Sequence, residues 1–405
     1  MKLKSCFCLT LIAVLASIGP ASAQTFSVLH AFTGTGDGAN PTAGVTLRGG
    51  ALFGTTYSTT IRAGDGSVFE MQRAGNTWAL TPIYKFSGPD GRNPNARVVF
   101  GPDSHLYGTT QYGDASPGTV FQLTPPLNIC KTAFCPWSRK LVTDFPFQGF
   151  IGIPSTGDLV WDAEGNIYGT TTSFVGHPGV GVYQSAPAGN SWTTTVLTMY
   201  TQGQLSPSAS SGVLLNDGNI FGAMCCGSIG HGFVYESQNV NGTWNFTDIY
   251  DFSGGTDGGD PRGALVADGS GNLYGTTASG GSGGGGTFFE LSPSGNTWTL
   301  QVLYNFSGPA NCGPGGLIAD GAGNLYGATN CDGVFESGNV FKLIKTQNSW
   351  VYTSLYDFQG TTDGRFPNGQ VAIDTDGTLY GTTIWGGNIT CGQSEGCGVV
   401  WMIKP

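Results

Sequence analysis

The chain has 405 residues, of which 12% are aromatic and 68 are glycine, while only 10% are charged. This aromatic content excludes an intrinsically disordered chain, and its combination with glycine is typical of short strands joined by tight turns. The net charge of −10, without any cluster of Lys or Arg, argues against nucleic acid or an anionic membrane as a partner.

The first 23 residues are predicted to be a cleaved signal peptide. Lys2 and Lys4 give a positive start, Cys6–Ile18 is apolar but short for a membrane span, and Ala21–Ala23 reads as a small-residue cleavage site. An uncleaved N-terminal anchor is the alternative. No second apolar run follows, so we expect a secreted or periplasmic protein without a membrane span, with residues 24–405 forming one domain.

The next segment has the pattern of a single strand. Thr25–Phe32 alternates apolar and polar residues and matches the sequence of a later strand, Val302–Phe306. A strand that stands alone at the start of a chain must find its partner elsewhere in the sequence.

The rest of the chain repeats the phrase Leu-Tyr-Gly-Thr-Thr, or a close variant, seven times. The steps between successive copies are 54, 61, 53, 53, 52 and 54 residues, and so regular a period means that one supersecondary unit is repeated. The copies are Leu52–Thr56, Leu106–Thr110, Ile167–Thr171, Ile220–Met224, Leu273–Thr277, Leu325–Thr329 and Leu379–Thr383.

The fifth copy shows four short strands in each unit. They are Gly263–Ala267, the phrase Leu273–Thr277, Thr287–Leu291 and Trp298–Phe306, separated by turns rich in Gly, Asp, Asn and Ser. Four antiparallel strands in about fifty residues are typical of a propeller blade. We expect the Gly of each phrase to leave room for an aromatic side chain of the neighbouring blade.

The C-terminus explains the isolated first strand. Gly398–Met402 matches the third strand of a unit, so the seventh unit lacks its fourth strand and Thr25–Phe32 can supply it. The sequence therefore predicts an all-β, seven-bladed β-propeller with four antiparallel strands per blade, closed by the N-terminal strand. An open solenoid is the alternative, but it would need capping repeats and none is visible.

The repeated phrase, the Gly-Gly that follows it and the Gly-x-Val-Phe-x-Leu strand together resemble a known family. They are similar to the GloVer (gloeo/verruco) tandem repeats of exported bacterial proteins and to the related HAF-type repeats. The resemblance covers nearly all of residues 25–405. It implies an exported repeat protein and brings no established catalytic residues to transfer.

One face of a propeller carries both the links between blades and the loops between second and third strands, and by analogy it is the usual ligand face. Four of these links contain an Asp-Gly pair followed by Pro, and a ring of such carboxylates could bind calcium. The alternative, that Asp-Gly makes a turn, is favoured because no Asp-x-Asp-x-Asp-Gly ladder is present, and no other cofactor is expected. The four residues are Asp37, Asp90, Asp257 and Asp363.

Aromatic residues in the loops on the same face could stack on sugar rings. Packing between blades is the favoured alternative, because Trp and Tyr are mostly buried. The candidates are Tyr57, Tyr112, Phe174 and Trp385.

Eight cysteines follow the predicted leader, and an even number in an exported chain favours disulfides. Cys312 and Cys331 share one face of the sixth unit and are predicted to pair. Cys225 and Cys226 are adjacent in the degenerate fourth copy, so they form a strained vicinal disulfide on the ligand face, a local staple or two free thiols. The remaining four lie in two loops: Cys130 and Cys135, and Cys391 and Cys397.

Signatures of an enzyme are weak. Gly280–Gly284 fits Gly-x-Ser-x-Gly but lies inside a glycine run without a strand-to-helix turn, and no catalytic residue is assigned. We therefore expect a monomeric binding or interaction scaffold for a carbohydrate, an envelope component or a protein. The alternative is a polysaccharide-active enzyme, a lyase or a glycoside hydrolase, that uses the same face.

Overall fold

The computed structural model describes residues 24–59, 64–113, 117–126, 136–145, 153–154, 157–172, 180–200, 211–225, 230–347, 349–391 and 395–404. The predicted leader lies outside these residues, as do Cys130, Cys135, Phe174 and Cys226. Nowhere in the described part is there a helix long and apolar enough to cross a membrane.

The regular secondary structure of the described residues consists of β-strands. In chain order these are β1 (Thr25–Ala31), β2 (Thr46–Arg48), β3 (Ala51–Thr56), β4 (Ser67–Ala74), β5 (Thr77–Lys85), β6 (Val99–Phe100), β7 (Leu106–Thr110), β8 (Thr119–Thr124), β9 (Ser138–Asp144), β10 (Ile153–Pro154), β11 (Val160–Trp161), β12 (Ile167–Thr172), β13 (Val180–Ala188), β14 (Ser191–Tyr200), β15 (Leu214–Asn216), β16 (Asn219–Met224), β17 (Phe233–Val240), β18 (Thr243–Asp251), β19 (Gly259–Ala267), β20 (Leu273–Ser279), β21 (Thr287–Ser294), β22 (Thr297–Asn305), β23 (Ile318–Ala319), β24 (Leu325–Thr329), β25 (Asn339–Lys345), β26 (Trp350–Asp357), β27 (Arg365–Pro367), β28 (Ala372–Ile373), β29 (Leu379–Trp385) and β30 (Val399–Lys404).

These strands make seven antiparallel sheets in a ring, which confirms the seven-bladed propeller. Blade 1 is β2–β5, blade 2 is β6–β9, blade 3 is β10–β14, blade 4 is β15–β18, blade 5 is β19–β22 and blade 6 is β23–β26. Blade 7 combines β27–β30 with β1, and in blades 3 and 7 the innermost strand is split into two short pieces.

The predicted closure of the ring is confirmed. Strand β1 pairs antiparallel with β30, from Thr25 opposite Lys404 to Ala31 opposite Val399. The N-terminal strand therefore becomes the fourth strand of the blade that ends the chain, and it covers an edge that would otherwise be open.

The Gly of each phrase does leave room for an aromatic ring, as expected. The prediction that this ring comes from the neighbouring blade is wrong, because it comes from the same blade. A Cβ on Gly54 would overlap the ring of Phe69, the residue directly opposite it on the third strand of the same blade. The same cross-strand pairing recurs in every blade, since an antiparallel register sets side chains directly opposite one another. The other pairs are Gly108–Phe121, Gly169–Tyr183, Gly222–Tyr235, Gly275–Phe289, Gly327–Phe341 and Gly381–Trp401.

The neighbouring blade contacts the Tyr of the phrase instead. The ring centroid of Tyr274 in blade 5 lies 5.6 Å from that of Trp350 in blade 6, and the Tyr274 hydroxyl donates to Asp268 at 3.0 Å. Asp268 also caps the preceding turn through the backbone of Asn272. The Tyr therefore links the turn of its own blade to the apolar core that lies between adjacent blades.

The first Thr of the phrase ties consecutive blades together. The hydroxyl of Thr382 in blade 7 donates to the carbonyl of Ala43 before β2 at 2.6 Å, and Thr170 makes the equivalent bond to Ser211 at 2.9 Å. The second Thr stays within its blade, as Thr56 does with Ser67 at 2.7 Å. Both hydroxyls are buried, and these bonds satisfy them.

Candidate functional site

Each blade brings one residue to the propeller axis, within its inner strand in blade 5 and just before an inner-strand segment in the other six. Each of these residues immediately precedes a buried aliphatic side chain, such as Val45 in blade 1 or Leu159 in blade 3. All seven line a single cavity of about 440 Å³. In blade order they are Gly44, Arg97, Asp158, Gly212, Ala264, Gly316 and Gln370.

Four of the seven axial residues are small, and at Gly44 the packing demands it. A Cβ on Gly44 would overlap the carbonyl oxygen of Gln370, so blades 1 and 7 lie close together here. Because these four positions carry at most a methyl group, the cavity wall there is largely backbone. The small residues are therefore what leaves the cavity open.

The other three axial residues are joined by a clamp on Arg97. Its Nε donates to Asp158 Oδ2 at 2.8 Å, and its Nη2 donates to Gln370 Oε1 at 2.6 Å. Nη2 also lies 2.5 Å from Asp158 Oδ2, which completes the ion pair. Gln370 in turn donates to the carbonyl of Leu317. Blades 2, 3, 6 and 7 are thereby linked across the axis, and the charge of Arg97 is neutralised by Asp158.

The described aromatic candidates, Tyr57, Tyr112 and Trp385, are not among the residues that line this cavity. The hydroxyl of Tyr57 donates to Gln111 at 3.1 Å, and burial, followed by the charge of Tyr112, raises the pKa of Tyr57. The guanidinium of Arg92 lies 5.6 Å from the ring centroid of Tyr112. Tyr57 and Tyr112, which follow the phrases of neighbouring blades, are thus close enough to interact electrostatically. Trp385 is half-buried at the end of β29.

The four Asp candidates each serve their own link. Asp363 accepts from the backbone of Gln359 at 2.7 Å and from the hydroxyl of Tyr356 at 3.0 Å, and Asp257 and Asp90 have the same kind of partners. Among the described residues no three His, Cys, Asp or Glu side chains gather into a possible metal site. These contacts favour the turn role of the Asp residues, and calcium binding stays an untested prediction.

Asp37 gives this turn role a measurable pH dependence. Its side chain is 15% exposed, and burial alone would raise its pKa, but hydrogen bonds from His30 and Thr33 outweigh burial and lower the pKa to about 2. Because the pKa of Asp37 is lower in the folded than in the unfolded state, its ionised carboxylate stabilises the fold at pH values above the unfolded-state pKa near 4. This stabilisation is lost as the pH falls through the folded-state pKa of about 2.

We therefore expect Asp37→Asn to lower the free energy of unfolding at pH 7 by up to about 2 kcal/mol, with most of this difference from wild type gone below about pH 2. Urea denaturation at several pH values measures this. Equal loss at both pH values would contradict the assignment.

The cysteines lie as follows. Cys312 and Cys331 form the expected disulfide, with Cα atoms 4.8 Å apart, and Cys391 and Cys397 form a second one at 5.8 Å. Cys225 is half-buried and lines the axial cavity. Because Cys226 lies outside the described residues, the vicinal pair stays a prediction.

Sequence reasoning missed the axial residues. The signal was available: when the seven units are superimposed, the position before the inner aliphatic residue is small in four units and polar in three. The missed polar residues are Arg97, Asp158 and Gln370, and nearby in the cavity wall Asp260, Arg262 and Asn330.

The repeats place the chain in a family. A family model described as the Gloeobacter/Verrucomicrobia repeat matches residues 14–177 and 154–395. The chain belongs to this family. The resemblance drawn from the repeated phrase is thereby confirmed.

Solved structures share the fold of this family member at low sequence identity, while no curated protein matches its sequence at a significant level. A structure described as an ulvan lyase of a new polysaccharide lyase family is 11% identical, with a TM-score of 0.56 over 92% of this chain and 95% of that one. Another polysaccharide lyase is 10% identical, with a TM-score of 0.55 over 91% and 90%. A protein from Lactobacillus plantarum is 14% identical, with a TM-score of 0.53 over 86% and 98%. These likenesses concern the fold alone.

Proposed function

We propose that the protein is an exported binding module whose ligand, a short stretch of polysaccharide or a polar compound of similar size, occupies the axial cavity. The observation that carries the proposal is the convergence of all seven axial positions on one cavity, with small residues at four of them. A volume of about 440 Å³ lies within the range of small-ligand pockets, roughly 300–1,000 Å³.

The chemistry of the lining supports a polar, hydroxylated ligand. Backbone groups of the glycines and the side chains of Asn95, Asn368 and Asn330 offer both donors and acceptors around the wall. A sugar presents hydroxyl groups in several directions, so it can pair with such a wall on more than one side. The two disulfides support an oxidising, non-cytoplasmic setting for the protein.

The cavity lining favours binding over turnover. General acid–base catalysis needs positioned groups of matched pKa, most often His, Asp, Glu, Lys or Tyr. The described lining residues include no His, Lys or Tyr, and Arg97 holds the carboxylate of Asp158, which leaves Asp260 as a single acid. Some solved propellers of this fold are described as polysaccharide lyases, so turnover is included as an outcome of the test.

A cavity-filling substitution tests the site. Ala264→Leu should extend into the open cavity and weaken binding to a glycan array at least tenfold while leaving the melting temperature nearly unchanged. Tyr112→Ala and Trp385→Ala, at residues that do not line the cavity, should retain binding. Loss of binding in these two variants with full binding in Ala264→Leu would move the site to the aromatic residues. Release of new chain ends from a bound glycan would replace the binding proposal with the enzyme.

A further inference from the structure

Blade 5 departs from blades 1 and 2 at the mouth of the axial cavity. In blades 1 and 2 the residue before the inner proline is Asn40 or Asn93, both with positive φ. The side-chain amide of Asn93 donates to the carbonyl of Tyr57 at 2.9 Å, and that of Asn40 to the carbonyl of Ile384 at 3.2 Å. Each Asn thus binds the preceding blade at the residue that follows the phrase.

Asp260 takes the same position in blade 5 with the same backbone. Its φ is 53°, against 55° for Asn40 and 54° for Asn93, and its amide donates to the carbonyl of His231 as the amide of Asn93 does to Asp65, both at 2.8 Å. A carboxylate cannot donate to the carbonyl of the preceding blade as the Asn residues do. Among the described residues the Asp260 side chain has one hydrogen bond, a long one from Ser279 Oγ at 3.5 Å, so its oxygens can accept further hydrogen bonds from the cavity.

Arg262, two residues further along β19, brings a second charge to the cavity wall. Its Nη2 has one long contact, to Asn311 Oδ1 at 3.5 Å, and within the described part of the chain it forms no ion pair. Arg97, by contrast, is fully engaged by Asp158. Of the two cations among the described lining residues, Arg262 is therefore the one without an ion-pair partner.

Two further groups on the wall lack partners. The side-chain oxygens of Asn330 in blade 6 and Thr42 before blade 1 are buried and make no hydrogen bond among the described residues. A buried polar oxygen without a partner costs free energy, which a bound donor would recover. Acceptors thus come from three sides of the ring: Asp260, Asn330 and Thr42.

We propose that the ligand of the axial cavity is an acidic saccharide, with its anionic group on Arg262 and its hydroxyl groups on Asp260 and Asn330. The inference rests on the binding function proposed above and adds the class of ligand. Arg pairs with a carboxylate through two parallel hydrogen bonds, which favours a uronic acid as the source of the negative charge. The several acceptors around the ring require several donors, as a sugar supplies and a simple carboxylic acid does not.

Calorimetric titration with matched oligosaccharides tests the inference. The probes are a glucose oligomer, the corresponding glucuronic acid oligomer and a glucose oligomer that carries sulfate. Wild-type protein should bind the glucuronic acid oligomer at least tenfold more tightly than the neutral one. Arg262→Gln should remove this preference without weakening the neutral oligomer, and Asp260→Asn should weaken both oligomers.

Arg92→Gln is the matched control, because Arg92 is exposed and is not among the residues that line the cavity. It should keep the preference. Equal binding of acidic and neutral oligomers, or a preference that survives Arg262→Gln, would overturn the acidic ligand and leave the binding proposal standing. No binding of any oligomer, together with no binding to the glycan array, would overturn both the acidic ligand and the binding function. Tighter binding of the sulfated oligomer would assign the anion to sulfate.

Discussion

Deletion of Thr25–Ala31 should abolish the cooperative unfolding transition of the propeller or lower the free energy of unfolding by at least about 5 kcal/mol. The deletion removes the ladder between β1 and β30 and uncovers the edge of the strand that contains Trp401. It also removes Phe26, whose ring stacks on Tyr356 of blade 6 with centroids 3.8 Å apart. Chemical denaturation followed by tryptophan fluorescence measures the loss.

A synthetic peptide of residues 24–33 provides the control for this deletion. Added to the shortened protein, it should restore the transition by pairing with β30, whereas a scrambled peptide should not. A shortened protein that unfolds cooperatively at wild-type denaturant concentrations would show that blade 7 is stable with an open edge. That result would contradict the role assigned to the N-terminal strand.

Trp401→Ala should lower the free energy of unfolding by about 3–5 kcal/mol. Trp401 is 1% exposed, lies against Gly381 on the neighbouring strand and meets the ring of Phe358 edge-on at 5.9 Å. Alanine would leave a cavity that Gly381 cannot fill, because glycine has no side chain. Urea denaturation of the variant gives the loss directly.

Trp401→Phe is the matched control, because the other six blades have Phe or Tyr opposite the phrase Gly. It should cost less than about 2 kcal/mol, since Phe fits the same type of site and removes an indole N–H that is buried without a partner. Equal losses for Phe and Ala would show that the indole is specifically required and that the seven Gly–aromatic pairs are not equivalent.

The sequence was sufficient for the blades because each strand is encoded locally. The phrase, its turns and the alternation of the next two strands all lie within one period, so the number of blades and the closing strand followed from comparing copies. The aromatic partner of the phrase Gly was assigned wrongly because that contact depends on the strand register. Gly54 meets Phe69 only because these two residues stand directly opposite each other, and neighbouring blades were an equally plausible source of the ring.

The sequence by itself determined the repeat, the fold of each blade and the way in which the ends of the ring join. Only the tertiary structure decided where a ligand could bind. Arg97, Asp158 and Gln370 lie in different repeats and look like ordinary variation in the chain, yet they meet because a closed ring brings the same position of every blade to one axis. Asp260 and Arg262 become a candidate site for the same reason: in the ring they face a shared cavity, and within that cavity they lack the partners that Arg97 and Asp158 find in each other.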